Sequence, residues 1–267
     1  MFHSNQARRF GAALLSVSLV APAQALIKAD EEGVPNSREF LGYAYDQKTG
    51  ALLYTERHQQ EYQGTRLVRG TVVYDNPQGE LIARKTLDYS ANAYAPKFRT
   101  EDLRTGGIEA GEFRNGEYTV SFRASQRSEQ HTRGLGEQKR LVADAGFDTY
   151  VRARMHELLK GDDVHFNFVV PSRLESVNFR AAPMGVERRD GRELLRIRIE
   201  TDNALLRLFV SPGFIVYDVS TGELLEYVGL SNLDDSDANK YRVRILYPHG
   251  QKPATAQDPA PSTAGGS

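Results

Sequence analysis

Asn115-Gly116 stands between Ile108–Arg114 and the run Glu117-Tyr118-Thr119-Val120-Ser121-Phe122-Arg123-Ala124. Asn-Gly between strand-like segments is a strong hairpin signal, because both central residues of the tightest turn need a positive φ. The second arm alternates cleanly. Tyr118, Val120, Phe122 and Ala124 face one way; Glu117, Thr119, Ser121 and Arg123 face the other. One apolar face and one polar face at a period of two read as a half-buried antiparallel strand.

The same grammar extends in both directions. Toward the N-terminus, Phe40–Asp46, Ala51–Tyr62, Thr65–Asp75 and Glu80–Tyr89 are strand-like segments. They are separated by Gln47-Lys48-Thr49-Gly50, Gln63-Gly64 and Asn76-Pro77-Gln78-Gly79, whose proline presets φ and whose glycines supply a positive φ. The stretch 90–97 is looser, and 125–140 reads as an exposed polar loop. Toward the C-terminus come Val164–Val170, Leu174–Arg180, Arg192–Glu200, Leu205–Val210, Phe214–Val219, Glu223–Leu230 and Tyr241–Tyr247.

A single helix interrupts the strands. Phe147, Tyr150, Val151, Met155, Leu158 and Leu159 recur at spacings of three and four and share a face. Asp144 or Asp148 is placed to cap its start and Gly161 to end it.

This many strands with one apolar face each need a cover, and one helix cannot supply it. The sheet must curl on itself, stack on a second sheet, or leave an apolar cavity. The expected fold is mainly β (α+β): a curved antiparallel sheet or half-barrel, with one amphipathic helix packed across it. Aromatics on the strands (Tyr54, Tyr74, Tyr118, Phe122, Phe166 and Phe168 among them) serve either a packed core or a lined cavity. If there is a cavity, its expected walls are Phe147, Val151, Met155 and Leu158 from the helix and Tyr118, Phe122, Phe166 and Phe168 from the strands. Val151→Arg or Phe168→Arg is then expected to abolish ligand binding.

The first 25 residues read as a secretory signal peptide: Arg8-Arg9, an apolar run from Phe10 to Ala21, and Ala23-Gln24-Ala25 as a small-residue cleavage site. The run is too short to span a bilayer, which takes ~20 residues as a helix. The expected organisation is a signal peptide over 1–25, a flexible lead-in over 26–38, one β-rich domain over 39–247 and a disordered Pro/Ala/Ser/Thr/Gly tail over 248–267. The expected location is the periplasm, with no integral membrane span once the signal is removed.

The 267-residue chain has no cysteine, which excludes disulfides, iron–sulfur clusters, thiolate zinc sites and a lipoprotein anchor. Its net charge is −1, and removing Arg8 and Arg9 takes it to −3. A near-neutral chain argues against a nucleic-acid partner.

The order of signal peptide, strand meander, mid-chain amphipathic helix, further strands and the late segment Tyr217-Asp218-Val219-Ser220-Thr221-Gly222-Glu223-Leu224-Leu225-Glu226-Tyr227 resembles the periplasmic lipoprotein localisation factors (LolA/LolB type). The resemblance is architectural and spans roughly residues 40–247. Uncharacterised exported proteins with a similar half-barrel share it. It implies an apolar concavity that binds acyl chains or a lipidated partner, and it transfers no binding residue.

Signals for chemistry are sparse. There is no Gly-x-Ser-x-Gly elbow. His156-Glu157 has Lys160 where a second zinc ligand would fall, and His165 lies on the polar face of its strand. Asp235, Asp237 and Asn239 have the spacing of a calcium loop, but Lys240 replaces the turn glycine and Leu246 the bidentate glutamate. No catalytic residue, metal site or cofactor is expected. Arg196, Arg198, Arg242 and Arg244 alternate with apolar residues on two late strands. If those strands pair, they form a basic outer stripe for acidic lipid headgroups or an acidic partner; otherwise they pair with neighbouring acids. The expected role is non-catalytic binding of a hydrophobic small molecule, lipid or lipidated partner. The alternatives are an envelope protein–protein interaction module with a filled core and, third, an envelope hydrolase.

Overall fold

The computed structural model describes residues 36–203, 211–235 and 240–249. The expected signal peptide, most of the lead-in and tail, the strand Leu205–Val210 and the Asp237/Asn239 pair lie outside the described residues.

The first half of the chain is an antiparallel meander. It comprises β1 (Asn36–Asp46), β2 (Leu52–Gln63), β3 (Arg66–Asp75), β4 (Leu81–Asp88), β5 (Lys97–Asp102), β6 (Gly107–Arg114), β7 (Glu117–Arg123) and β8 (His131–Gly134). After β9 (Leu141–Val142) come the helices α1 (Gly146–Ala153) and α2 (Met155–Leu159). The second half is β10 (Val164–Val170), β11 (Glu175–Arg189), β12 (Arg192–Thr201), β13 (Gly213–Asp218), β14 (Leu224–Asp234) and β15 (Lys240–Leu246). The fifteen described strands form one sheet, in the order β8-β7-β6-β5-β4-β3-β2-β1-β15-β14-β13-β12-β11-β10-β9. The first and last described strands are thus neighbours, and β8 and β9 are the two edges. Every neighbouring pair is antiparallel except β9 with β10, which the two helices connect.

Twisted sheets of this width curl. Here the curl brings the two edges round toward each other. The 3-10 turn Pro171–Arg173 after β10 touches β6 and β7, and residues 135–140 fill the seam. The Leu135 N–H donates to the Tyr118 carbonyl (2.9 Å) and the Asn167 N–H to the Arg140 carbonyl (3.0 Å). The rolled sheet is tied across its interior. Lys240 Nζ on β15 pairs with Glu109 Oε1 on β6 at 3.0 Å, although six steps separate these strands in the sheet.

The Asn115-Gly116 hairpin is present. Asn115 and Gly116 both have positive φ, and β6 and β7 pair from Ile108↔Arg123 to Arg114↔Glu117. The expected mainly β, curved antiparallel architecture is the fold of the chain. The differences are local. The stretch 97–102 is a strand, β5, whose inward side chains are only Phe98 and Thr100, too few to show a period. The loop 125–140 contains β8, whose four residues are all exposed. The strand expected over 174–180 continues to Arg189 through an irregularity at Pro183–Val186, where Gly185 takes a φ of +106°.

The helical stretch is broken in two at Arg154, whose φ is −116°. The Arg154 guanidinium lies over the Tyr150 ring, 4.3 Å from its centroid. Neither Asp144 nor Asp148 caps α1: Ala145 stands at the N-cap and no side-chain hydrogen bond caps the first turn. The Asp144 carboxylate instead accepts the Ala145 N–H at 2.7 Å and pairs with Lys85 on β4.

Gly146, the first residue of α1, packs against residues 94–96. A Cβ there would stand 2.2 Å from the Tyr94 carbonyl oxygen and 2.6 Å from Pro96 Cδ. The first obstacle is backbone, which cannot rotate away. Gly146→Ala is therefore expected to destabilise the protein by about 1–3 kcal/mol, read by chemical denaturation. An unchanged denaturation midpoint would show that α1 is not seated as described.

Candidate functional site

The interior of the rolled sheet holds two packed clusters with a cavity of about 330 Å³ between them. One cluster gathers Tyr54, Tyr74, Tyr89, Phe98, Tyr118 and Val120 with residues from β14 and β15. The other gathers Val142, Tyr150, Val151, Leu158, Val164, Phe166, Leu195, Ile197 and Tyr217. Phe40, Phe147, Phe166, Phe168, Phe179, Tyr227 and Tyr247 face the cavity between them.

Three of the eight sequence-selected wall residues, Phe147, Phe166 and Phe168, line this cavity. Val151 and Leu158 are fully buried in the second cluster, and Met155 packs against it. Tyr118 is buried in the first cluster, where its hydroxyl donates to the Pro96 carbonyl at 2.7 Å. Phe122 lies opposite Glu109 in register, half-buried and outside the cavity wall. The space beneath the helices is therefore filled under Val151 and Leu158 and open at the Phe147 end.

The cavity wall also carries charge that alternation alone does not single out. Lys85 Nζ lies 2.8 Å from Asp144 Oδ1, with side chains 4% and 6% exposed. Glu56 is buried, accepting from His58 Nε2 at 2.8 Å and from the Tyr247 hydroxyl at 3.1 Å. The Tyr217 hydroxyl donates to Asp148 at 2.9 Å, and Asp148 pairs with Arg152 one turn along α1. Arg38 pairs with Glu223, and its Nη2 lies 3.1 Å from His249 Nδ1. Opposite charges meet in the Lys85–Asp144, Arg152–Asp148 and Arg38–Glu223 pairs, as burial of charge requires.

Burial pushes the hydroxyls of Tyr54, Tyr74, Tyr217 and Tyr247 far above their ordinary value, and that of Tyr227 up to about 12. All therefore stay protonated near neutrality. Burial also pushes the Glu109 carboxyl up, with Lys240 pulling against it. Burial pushes Glu56 the same way, but the His58 hydrogen bond, the nearby His58 and Lys85 charges and the Tyr247 hydroxyl outweigh it and hold the carboxyl below 4.5.

The sequence signal for these groups was present. Glu56 and His58 share a strand face with Tyr54, and Lys85 shares one with Ala83 and Leu87. A polar residue in the apolar phase of a strand marks a polar group facing the interior.

The arginine pairs lie on the outer surface, but β12 and β15 are not neighbours, because β13 and β14 run between them. In register, Phe214 and Val228 separate Arg198 from Arg244. Arg244 pairs with Glu226 at 2.8 Å and Arg198 with Glu200 at 3.1 Å. Arg196 lies over the Phe214 ring. The outer face is a mixture of paired charge and apolar side chains.

These features define a barrel-like antiparallel β protein with an aromatic internal cavity. No family model matches the chain, and no curated protein matches it. Among solved structures it is similar to a beta-barrel-like protein of domain of unknown function DUF1849 from Brucella abortus. Sequence identity is 11%, the match covers 80% of this chain and 95% of that one, and the TM-score is 0.46.

The Glu56 shift makes a pH prediction. A carboxyl held below 4.5 in the fold adds stability above that pH and loses it as pH falls through the lowered value. Glu56→Gln removes this contribution. Wild type is expected to lose more denaturation stability than Glu56→Gln between about pH 6 and pH 3. Equal losses would show that the Glu56 carboxylate is not held as described.

Proposed function

We propose that this chain is a non-catalytic binding protein that takes a small apolar molecule or single acyl chain into the cavity between β1–β4 and β10–β15. The observation that carries the reading is the cavity itself. Its volume of about 330 Å³ lies at the small end of the ~300–1,000 Å³ range of ligand sites. The wall surface is chiefly apolar, with Phe and Tyr side chains prominent in it, so it favours an apolar guest by removing its surface from water. The resemblance to the lipoprotein localisation factors (LolA/LolB type) suggests the same class of guest, and the periplasm is the location that fits such a carrier. Among the described residues no helix is long and apolar enough to cross a membrane.

The filled-core alternative is favoured by the second cluster, which packs Val151 and Leu158 with no room for a guest. This confines the proposed guest to the Phe147–Phe168 side. It also means that Val151→Arg would test folding rather than binding. Against the hydrolase reading, Ser231 Oγ is engaged by the Tyr54 hydroxyl at 2.7 Å and by the Leu233 N–H at 2.9 Å.

The test is titration of the purified protein with a fluorescent apolar probe. Saturable binding of one probe per chain is expected. Phe168→Trp, which adds ring volume at a half-buried wall position, is expected to weaken binding about tenfold (~1.4 kcal/mol) with the thermal midpoint preserved. A folded native chain that takes up no probe, or a Phe168→Trp variant that binds as well as wild type, would overturn the reading.

A further inference from the structure

One polar position in the cavity wall is oriented from behind and open in front. His58 Nε2 lies 2.8 Å from the Glu56 carboxylate, which also accepts from the Tyr247 hydroxyl. An ionised carboxylate only accepts, so the hydrogen on this line sits on Nε2. When the ring carries no second proton, Nδ1 is left as an acceptor. The ring is held in place. Phe40 stacks on it with centroids 4.4 Å apart at 7°, and Tyr247 meets it edge-on at 5.9 Å.

Among the described residues Nδ1 has no hydrogen-bond partner, and His58 faces the cavity. The charged groups around it are already matched: Lys85 with Asp144, Arg38 with Glu223, and Arg152 with Asp148. His249 donates from Nε2 to the Leu224 carbonyl, since a carbonyl oxygen only accepts.

We infer that His58 Nδ1 is the anchor for a hydroxyl group on the ligand, so that the guest is an apolar alcohol: a long chain or ring system with one O–H. The inference rests on the cavity reading above. The aromatic walls hold the apolar body, and the single open acceptor orients it. A carboxylate head would bring its own lone pairs and charge against Nδ1, with the Glu56 charge behind. A neutral O–H donates to Nδ1 and places no uncompensated charge in an apolar site. Glu56 is a positioning residue here, and His58 is the contact.

The experiment compares 1-dodecanol with 1-methoxydodecane, which has the same alkyl tail and no donor, as competitors against the fluorescent probe on the native chain. The alcohol is expected to displace the probe at about tenfold lower concentration, the value of one buried hydrogen bond of ~1–1.5 kcal/mol. His58→Phe keeps the ring that stacks on Phe40 and removes both nitrogens. It is expected to bring the alcohol down to the level of the ether and to leave the ether unchanged.

That substitution also takes a donor from Glu56, so the same question is put to the unsubstituted protein by nitrogen NMR of the imidazole. The alcohol is expected to shift the Nδ1 resonance of His58, and the ether is not. Equal displacement by alcohol and ether with an unmoved Nδ1 resonance would overturn the anchor and leave the cavity reading standing. Dodecanoate outcompeting the alcohol would also overturn it, because His58 would then be donating. Binding of neither compound nor probe would overturn both.

Discussion

β1 and β15 pair antiparallel from Tyr43↔Leu246 to Asp46↔Val243, a short ladder on which the interior depends. Each half of the chain is otherwise a meander of neighbouring hairpins with one apolar face. Among the described residues neither half has a helix large enough to cover that face. Joining the first described strand to the last makes a single sheet of fifteen strands, and a sheet of that width relieves its twist by rolling up. The apolar face then covers itself. The cost is a long-range closure, because the paired residues lie about 200 positions apart in sequence, and such closures are slow to form.

Rolling leaves the middle of a wide tube to be filled. Aromatic side chains do most of the filling, and a set of ion pairs does the rest. Lys85 with Asp144 ties β4 to the head of α1, and Lys240 with Glu109 ties β15 to β6 across the interior. Buried pairs of this kind are poor sources of net stability, because desolvation offsets most of their attraction. What they supply is position. Lys85 fixes where α1 begins, and α1 fixes where Phe147 and Asp148 stand. The open volume remains on that side of the tube. On the other side Val151 and Leu158 pack closely against β10–β13 strands. One short helical segment therefore both closes part of the interior and borders the part that stays open.

The fold was legible in the sequence wherever a strand was long enough to show its period and a turn carried its own chemistry. The Asn115-Gly116 hairpin and the Asn76-Pro77-Gln78-Gly79 turn are examples. Strand β5 escaped because six residues with two inward side chains carry too little periodicity. The break at Arg154 escaped because the apolar face continues across it, so the pattern of Phe147, Tyr150, Val151, Leu158 and Leu159 looks like one helix. The site was half legible. Phe147, Phe166 and Phe168 stand in the cavity wall, whereas Tyr118, Val151 and Leu158 show the same alternation yet pack solidly. Periodicity reports which face is inward, not whether the space it faces is full. Glu56, His58 and Lys85 went unread because they looked like polar interruptions, and only the register between strands shows that they share one interior.

Everything proposed for this chain depends on whether the cavity between the two clusters receives an apolar guest. The most direct measurement is native mass spectrometry of the protein purified from cells that make it naturally, followed by organic extraction of what it carries. The account predicts an apolar molecule of defined mass, one per chain, released on extraction. A ligand-free chain that also stays unliganded after incubation with long-chain alcohols would contradict it.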